Sequence, residues 1–341
     1  MRSALGLLLL GCLSACSGQA PSETSLSNRQ HSNWQPLAQV RFESDGETPW
    51  VRLPTSTEGV ALRVTAEPGV CFELSGAESQ AGEVLAQRFA GQECSDCAAR
   101  TSVAAEAGVF ILPEAAQVRF GVVDCETLNP RGIAAGGLDV DMQPLAEPAS
   151  RELPLRLYLA SDSELTSDTD RERMLAAVDA ELVGSGLTSR VTGVERLTAP
   201  GAPLRFHAGD ASELALLLAE APQHEREIRV VIAGCLEYAD PLFGPPVALD
   251  GYTPRVLGGA GAADGVFLPD VDCTSSRPLS LTPEARGRVL AHELGHYLGL
   301  FHTDPASDDA DNLMHPKPAL ATAHGLTPTQ VEVLLRHPVL R

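Results

Sequence analysis

Residues 292–302 read His292, Glu293, Leu294, Gly295, His296, Tyr297, Leu298, Gly299, Leu300, Phe301 and His302. No other stretch of the chain restricts its fold as much. His292 and His296 are four apart, so on an α-helix their imidazoles share one face about one turn apart. Glu293 sits beside that face, where its carboxylate can reach a water held by the histidines without being a ligand. Gly299 follows His296 by three residues and tolerates the positive φ that ends a helix. The chain can then turn back and deliver His302 as a third imidazole. Three protein ligands leave a fourth tetrahedral position open, as in a catalytic rather than a structural zinc site.

The pattern H-E-x-x-H-x-x-G-x-x-H formed by His292, Glu293, His296, Gly299 and His302 resembles the metzincin metalloproteases at every fixed position. Asn312, Leu313, Met314, His315 and Pro316 follow and resemble that family's methionine turn. The resemblance makes Met314 a soft apolar floor under the imidazoles. Matrixin-like members often carry tyrosine where this chain has His315, whose side chain is expected to be exposed.

The resemblance implies an α/β (α+β) metzincin-like catalytic domain with a twisted mixed sheet and an active-site helix. It implies one Zn2+ per chain on His292, His296 and His302, with Glu293 as general base. The activity implied is that of a zinc-dependent endopeptidase acting on a protein or peptide substrate. The alternative is a non-proteolytic zinc-binding surface lipoprotein used for adhesion or binding. An intact Glu293 weighs against it, because a purely structural zinc has no need of a base. A zinc hydrolase with a downstream glutamate as third ligand is disfavoured by His302. Asp304, Asp308, Asp309 and Asp311 form an acidic loop after the third histidine. It is read as solvated, with Ca2+ binding as the alternative.

The N-terminus opens with Met1, Arg2 and Ser3, followed by an apolar run from Ala4 to Leu13. That run is too short to span a membrane and has the flanks of a signal peptide. Leu13, Ser14, Ala15 and Cys16 resemble a bacterial lipobox, which implies cleavage before Cys16 and lipidation of that residue. Cys12 is the alternative, with a shorter apolar run before it. Acyl chains would hold the protein at the membrane without a transmembrane helix. The expected location is the bacterial cell envelope, lipid-anchored on the periplasmic or surface face of the outer membrane. The formal charge of −20 argues against nucleic acid and anionic lipid as partners.

Eight cysteines less Cys12 and Cys16 leave six, an even number suited to disulfides in an exported chain. Pairing is expected within each half of the chain, which sets Cys235 with Cys273. The pairing among Cys71, Cys94, Cys97 and Cys125 stays open.

The chain is long enough for two domains. Residues 1–15 read as signal peptide, and 16–35, polar and Ser-rich, as a flexible tether. Residues 36–143 alternate short apolar runs with turn residues, the rhythm of a small all-β sandwich-like domain. Residues 144–151 read as a linker and 152–341 as the metalloprotease domain. Within it, strands are expected at Leu153–Ala160 and Ile228–Ala233, and helices at Asp170–Val183, Ala211–Ala221 and Thr327–His337. Thr282 and Pro283 are the expected cap and first residue of the active-site helix. Gly265–Pro269 reads as an edge strand whose unpaired backbone could hold an extended substrate. No cysteine switch or activation site is readable.

Overall fold

The computed structural model describes residues 33–55, 59–87, 104–105, 107–125, 129–132, 136–160, 163, 165, 167–198, 204–207, 212–224, 226–239, 245–259, 264–303, 311–316 and 325–341. The signal peptide, Cys12, Cys16, Cys94, Cys97, Asp304, Asp308 and Asp309 lie outside these residues. Trp34–Arg341 form one compact unit. Among the described residues, no helix is long and apolar enough to cross a membrane.

Among the described residues, the first half is built from strands. They are β1 (Gln35–Arg41), β2 (Val51–Arg52), β3 (Val60–Ala66), β4 (Cys71–Ser79), β5 (Val84–Gln87), β6 (Ala104–Ala105), β7 (Ala107–Leu112), β8 (Ala115–Val123) and β9 (Gly137–Pro144). One antiparallel sheet runs β1-β9-β3-β7. The other runs β2-β8-β4-β5, with β6 also on β4. Side chains of a strand alternate between faces. Leu62, Val64, Phe110 and Leu112 of the first sheet therefore meet Phe72, Leu74, Val118 and Phe120 of the second in one core. Phe72, Phe110 and Phe120 lie with ring centroids 5.3–6.1 Å apart, within the range of favourable aromatic pairs. A disulfide joins Cys71 to Cys125.

The opposite face of β3 and β7 is apolar too. Ala61, Val109 and Ile111 are buried there with Leu145 and, from far along the chain, Leu257. This explains the unbroken apolar run Val109–Leu112, which is the pattern of a strand covered on both sides. The segment after β9 is tied at both ends: Leu145 N–H donates to the Gly59 carbonyl (3.0 Å) and Ala149 N–H to that of Leu340 (3.1 Å).

The second half alternates strand and helix. It comprises β10 (Glu152–Leu159), α1 (Asp168–Glu181), β11 (Thr188–Arg196), β12 (Leu204–His207), α2 (Ser212–Glu220), β13 (Ile228–Ile232), β14 (Leu236–Ala239), β15 (Val247–Leu249), β16 (Val266–Leu268), α3 (Pro283–Tyr297) and α4 (Pro328–Leu335). The architecture is α/β with several sheets. The central sheet, β11-β10-β13-β16, is parallel at every pairing rather than mixed. Long connections bring each strand back in the same direction, through α1 between β10 and β11, through α2 between β11 and β13, and through β14 and β15 between β13 and β16. Among the described residues, antiparallel pairing in this half occurs in the small sheet β12-β14-β15, where β14 meets β15, and as single bridges, one of them from Tyr252 to Phe267 at the edge of β16.

Parity divides the central sheet. Leu155, Leu157, Ile228, Val230 and Ile232 pack with Met174 and Val178 of α1 and Leu290 and Leu294 of α3. Tyr158, Val231 and Phe267 pack on the other face with Leu214 and Leu217 of α2. Arg229 shares that second face; it is buried and donates to the carbonyls of Ala221 (2.7 Å) and Asp264 (3.1 Å).

Capping fixes the helix starts. Ser167 accepts the Asp170 N–H (3.0 Å), so α1 begins at Asp168, two residues before the position expected. Thr282 accepts the Ala285 N–H (3.2 Å) with Pro283 in the first turn of α3. The edge of β16 is not open. The Phe267 N–H and carbonyl each pair with Tyr252 at 2.9 Å, so the backbone expected to receive an extended ligand is already occupied there.

Candidate metal centre

Helix α3 carries His292 and His296 on one face, and its C-terminal end brings His302 to them. Gly299 has φ 109°, closed to most side chains. Its N–H donates to the His296 carbonyl (3.0 Å), and the Leu300 N–H reaches back to Gly295 (2.9 Å). These two bonds make a Schellman turn. The chain reverses there, and His302 Nε2 comes to lie 3.2 Å from His292 Nε2 and 3.1 Å from His296 Nε2.

The hydrogen bonds on the far side of two rings settle their tautomers. His292 Nδ1–H donates to the Leu313 carbonyl (2.6 Å) and His296 Nδ1–H to the Leu300 carbonyl (2.7 Å). A carbonyl only accepts, so both Nδ1 atoms carry the proton and both Nε2 atoms present lone pairs. A single Nε2–H on His302 could answer only one of them. Three nitrogens on a tetrahedral zinc at 2.0–2.1 Å would stand about 3.3 Å apart. The observed spacing fits such an ion, with one position left over. The three side chains form a group able to hold a metal.

Burial supports the neutral rings. It pushes His296 down to about 3, helped by His292 and His302 nearby. His302 is also lowered, by burial first and then by His315. His315 is half-buried rather than exposed. A second group, Cys235, Glu237 and Cys273, is also close enough to hold an ion. Its sulfurs are joined to each other in a disulfide, so no thiolate is available.

Glu293 lies one residue along from His292 and is buried. Burial pushes its carboxyl up to about 7, and a hydrogen bond from Thr253 pulls against that rise. Thr253 Oγ1 lies 2.7 Å from Glu293 Oε2 and 3.0 Å from the Glu293 backbone carbonyl. Gly251 closes the other side: a Cβ there would stand 2.7 Å from Glu293 Cγ and 2.8 Å from Oε1. Nothing in the motif indicates Gly251 or Thr253, which precede Glu293 by some forty residues.

Met314 is fully buried, and its Sδ would be 2.5 Å from a Cβ on Gly295. The thioether therefore rests directly on the helix backbone between the two histidines. The turn holding it has a second role through its backbone, since Leu313 supplies the carbonyl that orients His292. Asn312 Oδ1 accepts the Met314 N–H (2.9 Å), and Asn312 Nδ2 donates to Gln330 Oε1 (2.9 Å). Gln330 in turn completes a capping box with Thr327 at the start of α4. The Thr-Pro-Thr-Gln spacing of that box is legible in the sequence; its grip on the metal turn is not.

No protein-family model matches the chain, and no curated protein matches it. Among solved structures it is similar to the archaemetzincin of Methanopyrus kandleri, at 17% identity and TM-score 0.36, over 56% of this chain and 97% of that one. It is similar to metalloproteinase-II from Bacteroides fragilis at 16% identity and TM-score 0.37, over 65% of this chain and 62% of that one. A zinc-dependent peptidase from Methanocorpusculum labreanum is similar at 14% identity and TM-score 0.34, over 52% and 99% respectively. These likenesses are distant, and no residue's role rests on them.

Proposed function

We propose that this chain is a zinc-dependent endopeptidase, with zinc held by His292, His296 and His302 and Glu293 as general base. The observation that supports this most is the convergence of three imidazoles, with His302 Nε2 at 3.2 Å from His292 Nε2 and 3.1 Å from His296 Nε2, two of the rings with Nδ1 locked to a carbonyl, beside a buried carboxyl. Zinc in that position would polarise a peptide carbonyl and lower the pKa of a water to roughly 7. The protein supplies the rest. The Leu313 and Leu300 carbonyls hold two rings in the ligating tautomer. Thr253 occupies Glu293 Oε2, which leaves Oε1 to take the proton from the attacking water and pass it to the departing amine. Burial raises the Glu293 carboxyl, which favours a group that both takes and returns a proton. Met314, pressed on Gly295, serves as the apolar floor of the site.

In this reading residues 36–143 and 152–341 are two domains joined at 144–151 and packed against each other in one compact unit. Lipid on Cys16 anchors the protein in the cell envelope, and the acidic loop after His302 binds no calcium.

The test is hydrolysis of a peptide library by the purified chain, with and without chelator. Cleavage should stop on chelation and return with added zinc. Metal analysis should give one zinc per chain, lost when the three histidines are replaced by alanine. A chain that binds zinc tightly and cleaves nothing would be the non-proteolytic binding lipoprotein instead.

A further inference from the structure

We propose that Thr253 is a positioning residue for the Glu293 carboxylate, fixed in place by a strap of backbone, residues 251–259, laid along helix α3. The proposal rests on the endopeptidase reading for its kinetic consequences and on geometry for its substance.

The strap is held from several sides. Tyr252 pairs twice with Phe267 of β16 at 2.9 Å. The Leu257 N–H donates to the His296 carbonyl (3.0 Å) and the Gly258 N–H to that of Tyr297 (2.8 Å). Both are last-turn carbonyls of α3, and that of His296 is shared with the Gly299 N–H that ends the helix. Arg255 donates to the Ala107 carbonyl of β7 and forms an ion pair with the buried Asp264 at 3.5 Å. Leu257 is buried against Ala61, Val109, Ile111 and Leu145. Its φ of 66° is one that a leucine adopts only when its surroundings impose it.

Thr253 is therefore presented to Glu293 by a segment with little freedom to move. Its hydroxyl has one proton and two acceptors within reach, Oε2 at 2.7 Å and the backbone carbonyl at 3.0 Å. An ionised carboxylate wins that competition, because a charge-assisted bond is the shorter and stronger one. Gly251 bounds the same carboxyl near Oε1, with no room for a Cβ. Hydroxyl on one side and bare backbone on the other leave the carboxyl a single orientation. A general base needs that constraint, since its reach to a water is set within a few tenths of an ångström.

The experiment uses the full chain purified in detergent. Thr253→Val keeps shape and removes the donor; Thr253→Ser keeps the donor; Thr253→Ala replaces the valine variant should that fail to fold. A lost bond to a charged group predicts a fall in kcat of roughly 10- to 100-fold for Thr253→Val. KM should stay within about twofold and zinc at one per chain, with Thr253→Ser restoring kcat to within about threefold of wild type. An unchanged kcat in Thr253→Val, a loss of zinc, or failure of serine to rescue overturns the proposal. Crystal structures of the metal-free wild type and Thr253→Val give a readout without activity: Glu293 Oε2 should leave its position in the variant. If the wild type cleaves nothing, the endopeptidase reading fails. The positioning is then decided by the crystal structures alone, and an unmoved carboxylate refutes it.

Discussion

Glu293 carries the sharpest consequence of a single side chain. Glu293→Gln keeps its size and its bond from Thr253 but removes the proton acceptor. Zinc content should be unchanged, and peptide hydrolysis should fall roughly 10²–10⁴-fold, the usual share of general acid–base catalysis. A variant that cleaves as fast as wild type would exclude the carboxylate from the chemistry. Gly251→Ala reaches the same group from the backbone side. The new Cβ would overlap Cγ and Oε1 of Glu293, so activity should drop by at least tenfold while zinc stays bound, as steady-state kinetics and metal analysis would report. At this scale the meeting of His292, His296 and His302 was legible, because side chains that share one face of a helix recur at fixed spacing and Gly299 marks where the chain turns back. Thr253, Gly251 and the Leu313 carbonyl were not. A backbone carbonyl has no residue identity, and a contact across forty residues leaves no spacing to read.

The helices owe their ends to local chemistry and their positions to close packing. Thr282, Pro283 and Gly299 mark both ends of α3, and all three were readable because caps are decided within a few residues. Its approach to α1 was not readable. At Gly287 a Cβ would stand 2.2 Å from the Met174 carbonyl oxygen and 2.7 Å from Ala177 Cβ. Backbone cannot yield as a flexible side chain can, so Gly287→Ala should destabilise the fold by about 1–3 kcal/mol, the usual cost of overpacking. Urea unfolding at neutral pH measures it; an unchanged midpoint would mean that α1 and α3 are free to separate. The edge read at Gly265–Pro269 shows the opposite failure. Three apolar residues identify a strand, but not what pairs with its outer side, and Tyr252 does so through its backbone.

The chain as a whole couples its stability to pH through a residue remote from the metal. His337 is buried, with Nε2–H donating to the Gly258 carbonyl (3.1 Å) and Nδ1 accepting from the Val339 N–H (3.1 Å). Burial pushes it down to about 4, so the folded state holds the neutral ring. Below the ordinary value near 6.5 the unfolded chain binds a proton that the folded chain refuses. Stability from this group is thus full above pH 6.5 and lost as pH falls toward 4, by about 3 kcal/mol. His337→Gln should be less stable at pH 7 yet lose less on acidification. Parallel urea titrations at pH 7 and 4.5 test this, and equal losses in both proteins would rule it out. On the proposal that Cys16 is lipidated, Cys16→Ser should leave the protein out of the membrane fraction or stall its processing, since acyl chains would be its membrane attachment. Unchanged lipid labelling would point to Cys12. The β-rich first half was legible from its rhythm of short apolar runs. Its hold on the second half was foreshadowed only by Val109–Leu112, apolar on both faces with no visible reason until Leu257 is seen against it.

On the endopeptidase proposal, that seam bears on how activity would be switched on. Many proteases are made as zymogens and released by cutting away an N-terminal piece. Here the N-terminal sheet covers Leu257 and takes the hydrogen bond of Arg255. Excising it would bare an apolar patch and loosen the backbone that meets Glu293. The β-sandwich is thus poorly suited to being a discarded propeptide. On the endopeptidase proposal the sandwich stays with the second half, because its removal would uncover Leu257 and free Arg255 of the strap beside Glu293.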